Sequence, residues 1–255
     1  MRLKGQVAIV TGSGRGIGAA IAEGYAREGA FVVLVSRTNA QLEAQAESIQ
    51  ALTGTKPLAV AIDVSKQDDV EHLVETVIGV YGKIDILVNC AGIAMVSPAE
   101  SLSLEDWHAC MKINLDGTFL CCQKVGQKMI KQGSGGKIIT ITSIVAHAAI
   151  PERAAYAASK GGVMQLTQNL AVEWARYGIQ VNAISPGFIR TQLVQELIDK
   201  GVHNPEKMIA RIPAGRLGEV DDLVGPAIFL ASKEAEYITG VILKVDGGWL
   251  ANGYI

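Results

Sequence analysis

Thr11-Gly12-Ser13-Gly14-Arg15-Gly16-Ile17-Gly18 is the stretch that decides how the chain folds. It follows the β-branched run Val7–Thr11 and leads into Ala19-Ala20-Ile21-Ala22, which gives a strand, a glycine turn and a helix in succession. Glycines at such a junction allow a tight turn and bring backbone N–H groups and a helix N-terminus against a pyrophosphate with no Cβ in the way. A glycine-rich turn alone also serves plain packing, and it is the strand before and the helix after that assign this one to a dinucleotide. Two registers fit. Gly14, Gly16 and Ala19 satisfy the general G-x-G-x-x-A pattern, and Thr11, Gly12, Gly16 and Gly18 satisfy TGxxxGxG.

Outward from this loop, short apolar runs recur at 31–36, 58–62, 84–89, 137–142, 179–185 and 241–245, with longer helical patterns between them. Most are apolar throughout, as strands buried on both faces should be, so the alternation predicts an α/β domain: a parallel sheet with helices on both faces. Helix starts are predicted at Ser65-Lys66-Gln67-Asp68 and Ser103-Leu104-Glu105-Asp106, where a hydroxyl precedes an acid by three residues. Between Pro186 and Pro213 the connection is far longer than usual after a strand. Its position beyond a strand's carboxyl end predicts a substrate lid over about 188–213.

At 255 residues and 49% hydrophobic content the chain can bury a full core, and one domain, 1–255, is expected. Charged residues make up 19% and the net charge is -2, so bulk electrostatics do not draw the protein to nucleic acid or anionic lipid. No stretch approaches the roughly 20 apolar residues of a membrane span, and no leader pattern precedes the first strand. Cys90, Cys110, Cys121 and Cys122 follow no metal-ligand spacing, and adjacent Cys121 and Cys122 cannot close an unstrained disulfide. A cytoplasmic protein with reduced thiols and no metal is expected.

In NAD-selective sites an acid at the end of the second strand accepts hydrogen bonds from the adenosine ribose. Here that strand ends Leu34-Val35-Ser36-Arg37-Thr38. No carboxylate repels a 2′-phosphate, Arg37 offers a fork of donors beside Ser36, and Arg15 supplies a second positive charge from the glycine loop. NADP(H) is therefore the preferred cofactor, with NAD(H) possible.

Tyr156-Ala157-Ala158-Ser159-Lys160 opens an alanine-rich helical stretch, and a spacing of four puts Tyr156 and Lys160 on one face. Bringing a tyrosine from near 10 to about 7 requires roughly 4 kcal/mol of stabilisation of its anion, which a neighbouring ammonium and an oxidised nicotinamide could share. A proton donor tuned near neutrality follows. Ser143, at the end of the run 137–142, stands where a parallel sheet presents ligand-binding groups, and its hydroxyl could hold a substrate oxygen.

Taken together, Thr11-Gly12…Gly16…Gly18, Asp63-Val64, Asn89-Cys90-Ala91-Gly92, Asn114, Ser143, Tyr156 with Lys160, Pro186-Gly187 and Asp246-Gly247-Gly248 resemble the short-chain dehydrogenase/reductase family over essentially the whole chain. The resemblance implies a doubly wound, seven-stranded Rossmann-type sheet and a homotetramer. It also carries roles to matching positions. Gly12, Ser13, Gly16, Ile17 and Gly18 would cradle the pyrophosphate, and Asp63 and Val64 would contact adenine. Asn89, Ala91 and Gly92 would shape the cofactor floor, while Pro186, Gly187, Ile189 and Thr191 would hold the nicotinamide end. Asn114 would position a water linking Lys160 to solvent. Cys90 departs from the family's usual Asn-Asn-Ala-Gly, at a position that more often supports structure than chemistry.

Segments following strand ends near Ser143 predict the substrate wall: Ile93, Val145, His147, Arg153 and Gln192 with Ser143 itself. These segments mix apolar groups with His147, Glu152 and Arg153, which suits a polyhydroxylated or acidic carbonyl compound at least as well as a long acyl chain. Within the family, Glu173-Trp174-Ala175-Arg176-Tyr177-Gly178 and Val245-Asp246-Gly247-Gly248-Trp249 are most similar to gluconate 5-dehydrogenase-like and other sugar or polyol dehydrogenases. Similarity to 3-oxoacyl-carrier-protein reductases is also substantial. The basic residues those reductases often place near the positions of Ser134 and Tyr177 are missing. A non-catalytic sensor of nicotinamide nucleotides is the reading from another class, and the presence of Ser143, Tyr156 and Lys160 argues against it.

Overall fold

The computed structural model describes residues 1–199, 201 and 204–253. Seven strands make one sheet: β1 (Val7–Thr11), β2 (Phe31–Ser36), β3 (Leu58–Ala61), β4 (Ile86–Asn89), β5 (Gly136–Ile141), β6 (Ile179–Pro186) and β7 (Ile242–Val245). Their order is β3-β2-β1-β4-β5-β6-β7 and every pairing is parallel, from Val7 opposite Phe31 at one side to Pro186 opposite Val245 at the other. The order reverses between β1 and β4, which gives the doubly wound Rossmann-type topology expected of the alternating sequence.

Side chains along β1 alternate between two cores. Ala8 and Val10 face α1 (Gly16–Arg27), α2 (Asn39–Thr53) and the helix Val224–Ala231 near the end of the chain. Val7 and Ile9 face α3 (Gln67–Tyr81), α5 (Gly117–Gln132) and α6 (Ala154–Trp174). Burial on both faces explains why the strands read as continuous apolar runs. It also leaves polar ligands only the strand ends to approach. α4 (Leu104–Met111) joins α5 through one π-helical turn, Lys112–Asp116, a rare element that concentrates at functional positions.

Two local expectations are corrected. β4 starts at Ile86, not residue 84, because the Ile84 N–H and carbonyl both bond the Gln132 side-chain amide, at 2.9 Å each, and leave the ladder. Ser65 does not cap α3; its N–H donates to Asp63 Oδ1 at 3.0 Å, and Lys66 takes the cap position without a side-chain bond. Ser103 does cap α4, accepting the Asp106 N–H at 3.0 Å. The other strand ends agree within one residue.

The long connection after β6 contains a two-residue parallel bridge, Ile189–Arg190 with Gly218–Glu219, followed by α7 (Gln192–Asp199) and α8 (Pro205–Ala210). Its residues Lys200, Val202 and His203, and Tyr254 and Ile255 at the apolar C-terminus, lie outside the described residues. No helix among the described residues is long and apolar enough to cross a membrane.

Tyr25 on α1 is fully buried and its hydroxyl donates to the Ala227 carbonyl at 2.9 Å, tying the first helix to one near the chain's end. Tyr25→Phe strands that carbonyl without its partner, so stability should fall by about 1–2 kcal/mol, read from urea unfolding midpoints.

Candidate active site

A groove of about 510 Å³ runs along the carboxyl ends of the strands, from the glycine loop at one end to Tyr156 at the other. Thr11 organises its floor. Its hydroxyl oxygen accepts the N–H groups of Cys90 and Ala91, both at 3.1 Å, and its proton is directed to the Val88 carbonyl at 3.4 Å. Gly12, at φ +69°, then packs so closely that a Cβ would lie 2.8 Å from the Ala91 backbone. Gly16, at φ +60°, opens toward the groove, its nearest neighbour the Thr191 methyl at 3.8 Å from where a Cβ would stand.

The start of α1 carries no side-chain cap at Arg15 and no acid in its first turn. Its orphan N–H groups and the positive end of its dipole therefore suit an anion, and the space above Gly16 is what a side chain would have filled. A dinucleotide pyrophosphate fits the donors present.

Most of the expected cofactor positions line this groove: Arg15, Ile17, Gly18, Ser36, Arg37, Asp63, Val64, Ala91, Gly92, Pro186, Gly187, Ile189 and Thr191. Burial works to raise the Asp63 carboxyl, but hydrogen bonds from the Ser65 N–H and hydroxyl, with the nearby charges of Arg37 and Lys66, hold it below the usual range. Two expected positions do not line the groove. Ser13 is buried with its hydroxyl accepting the Val35 N–H at 2.8 Å, and Asn89 is buried with its amide donating to Cys122 Sγ at 3.2 Å. Thr38 and Gln41, which the motifs do not name, also line the groove, beside Ser36 and Arg37; the start of α2 immediately after the second strand is the available signal.

At the other end, Lys160 and Tyr156 share one face of α6, with the Lys160 nitrogen 5.9 Å from the centroid of the phenol ring. Lys160 is 5% exposed and donates to the Ile141 carbonyl at 2.8 Å. The Tyr156 hydroxyl hydrogen-bonds Ser143, whose oxygen also accepts the Val145 N–H at 3.4 Å. Asn114 sits in the π-helical turn behind them, fully buried and off the groove wall. Its Oδ1 accepts the Ile93 N–H at 2.8 Å, and its Nδ2 donates to the Ile93 carbonyl and to Ser159 Oγ, both at 3.0 Å. Ser159 in turn donates to the Tyr156 carbonyl at 2.8 Å. Asn114 and Ser159 thus couple the loop after β4 to the tyrosine helix. Ser159 was missed in the sequence, although three residues after Tyr156 is the spacing that brings it to the same face.

Burial pushes the Tyr156 phenol up to about 12, with the Ser143 hydrogen bond opposing, and pulls the Lys160 ammonium down to about 8. The protein's own groups do not acidify the phenol, because desolvation outweighs the nearby charge. Of the expected substrate residues, Ile93, Ser143, Val145, Arg153 and Gln192 line the groove. His147 does not. It is exposed beyond the short 3-10 turn Ile144–Ala146, where burial and the charge of Lys244 lower its pKa against the opposing pull of Asp246.

A family model described as enoyl-(acyl carrier protein) reductase matches residues 12–250. The chain belongs to the short-chain dehydrogenase/reductase family, and it is an oxidoreductase. It is 42% identical to D-threitol dehydrogenase of Mycolicibacterium smegmatis over 97% of this chain and 94% of that one. It is 39% identical to gluconate 5-dehydrogenase of Gluconobacter oxydans over 96% of this chain and 95% of that one. Among solved structures, a gluconate 5-dehydrogenase from Burkholderia cenocepacia in complex with NADP and tartrate superposes with a TM-score of 0.93 at 41% identity, covering 98% of this chain and 97% of that one.

In this dehydrogenase/reductase the buried ammonium has a stability signature. The amine's pKa falls from 10.5 in the unfolded chain to about 8 in the folded one. Between about pH 8 and pH 10 the unfolded chain therefore holds a proton the folded chain has released, and stability contributed by this group rises with pH. The ligand-free wild type should gain unfolding free energy relative to Lys160→Met across that interval, by up to about 1.4 kcal/mol per pH unit. Paired urea titrations at stepped pH check it; a constant difference would mean that the amine is not desolvated.

Proposed function

We propose that this short-chain dehydrogenase/reductase interconverts a carbonyl and an alcohol on a small polar substrate, such as a sugar, polyol or keto sugar acid, with NADP(H) as the preferred dinucleotide. The meeting of Ser143, Tyr156 and Lys160 at one end of a groove whose other end is a glycine loop carries the reading. A bound nicotinamide supplies or takes up hydride at its C4. Ser143 holds the substrate oxygen, and Tyr156 gives a proton to that oxygen in reduction and removes it in oxidation. Lys160 keeps a positive charge beside the phenol and binds the nicotinamide ribose. Asn114 fixes the helix behind them and holds the water that links Lys160 to solvent.

Arg15 and Arg37 on the adenine side of the groove support NADP(H), since no carboxylate ends β2 and two cations are available for a 2′-phosphate. The NADP held by the Burkholderia relative supports the same preference. Residues 188–213 act as the lid, a role supported by Phe188, Gln192 and Val194 on the groove wall. The exposed apolar side chains of Phe119 on α5 and Val172 on α6 support assembly as a homotetramer through these helices. Four free thiols fit a cytoplasmic setting.

Tyr156→Phe should lose at least 95% of turnover with little change in NADPH affinity, measured by absorbance at 340 nm and by fluorescence titration. Arg37→Asp should weaken NADPH binding far more than NADH binding, and equal losses would defeat the preference. A panel of ketoses, keto acids, diketones and acetoacetyl thioesters tests the activity itself: silence across it, with tight NADPH binding, would favour a sensor.

A further inference from the structure

Asp246-Gly247-Gly248-Trp249 follows β7 directly, and this turn sends an indole back into the protein. Asp246 holds the turn. Its carboxylate oxygens accept the Gly248 and Leu250 N–H groups, both at 2.9 Å, and its carbonyl accepts the Trp249 N–H at 3.2 Å. Trp249 is 4% exposed and forms a small apolar cluster with Ile144, Val145, Ile212 and Leu217, against which Tyr156 and Phe188 pack.

Two contacts orient the indole. The Phe188 ring meets it edge to face, with centroids 6.1 Å apart and planes at 82°. The guanidinium of Arg211, the residue that ends α8, lies 4.2 Å from an indole centroid. Arg211 is fastened in turn to the segment after β7, since its carbonyl accepts Asn252 Nδ2 at 3.3 Å, and the Ala214 N–H three residues on donates to the Gly247 carbonyl at 3.0 Å. Phe188 lines the groove, and Trp249 and Arg211 stand behind it. Phe188 also borders a second cavity of about 210 Å³, walled on its other side by Ile212, Ala214 and Gly247. A ring between two cavities is not fixed by close packing alone, and its contact with Trp249 supplies the restraint.

We infer that Trp249 is a positioning residue for the reaction at Tyr156: acting through Phe188, it fixes the wall against which the substrate rests, while touching neither substrate nor dinucleotide itself. This rests on the reading of the groove as a carbonyl-reductase site and adds a residue to it. Phe188 follows Pro186-Gly187 and packs in the same cluster as Tyr156, so a displaced ring changes the space in which the substrate carbonyl must sit. The glycine loop and Arg37 lie toward the other end of the groove, and their hold on a dinucleotide does not depend on that ring. Loss of the indole is therefore felt in substrate binding, with dinucleotide binding kept.

The test is a double-mutant cycle on Trp249 and Phe188, read with whichever of 5-keto-D-gluconate, L-sorbose and diacetyl the wild type reduces fastest with NADPH. Trp249→Leu should raise KM roughly 10-fold, with kcat within about 3-fold of wild type and NADPH affinity, from the fluorescence of the bound nicotinamide, within about 2-fold. Trp249→Phe, which keeps an aromatic partner for Phe188, should stay within about 3-fold of the wild-type KM. In a Phe188→Leu background the further change Trp249→Leu should alter KM by less than about 2-fold, because the ring through which it acts is gone. An unchanged KM in Trp249→Leu, effects of the two substitutions that multiply independently, or a loss of NADPH binding that shows Trp249 to hold the groove as a whole each overturns the assignment and leaves the reductase reading standing. No turnover of any of these compounds by a wild type that binds NADPH overturns both together.

Discussion

The hydroxyl of Thr11, shared between the N–H groups of Cys90 and Ala91, fastens the end of β1 to the turn that leaves β4. These are the strands between which the sheet order reverses, so their following segments depart to opposite faces and a crevice opens between them. Gly12 packs against the Ala91 backbone there, so main chain meets main chain with no room for a side chain between them. Phosphate-sized anions can then approach the start of α1 directly. The same groove continues past Gly92 to Lys160, which makes the glycine-loop end and the Tyr156 end one continuous surface.

The strands are legible in the sequence because burial on both faces imposes short, continuous apolar runs, and the glycine turn because it directly follows the first of them. Tyr156, Lys160 and Ser143 are legible for a different reason: helical spacing and a strand end fix where they point before any packing is known. Ser13 and Asn89 show the limit of that logic. A motif identifies backbone positions, but where a side chain goes depends on the neighbouring element. The Ser13 hydroxyl goes to Val35 on β2, and the Asn89 amide to Cys122 on α5. His147 fails similarly, since one short turn after Ser143 rotates it away from the groove. Ser159 and Gln41 lie within helices, where spacing and position indicate a face but do not name the partner a polar residue meets there.

Holding an ammonium and a phenol in the same apolar enclosure works against stability, and both groups are displaced toward their neutral forms. The fold accommodates them by giving each a hydrogen bond that does not depend on charge: Lys160 to the Ile141 carbonyl and Tyr156 to Ser143. Further out, Asn114 satisfies its donors and acceptor with Ile93 and Ser159, so the layer behind the pair is closed by neutral groups.

Near neutrality of the whole chain, at a net charge of -2, means that long-range attraction contributes little to ligand capture. Selection has to come from where individual cations stand along the groove. Arg15 and Arg37 stand at one end of the groove and Lys160 and Arg153 at the other, separated by a wall that is mostly aliphatic and glycine main chain. All four cations line one groove. Local placement therefore accomplishes what a strongly basic composition could not, since a basic surface would attract anions without regard to shape.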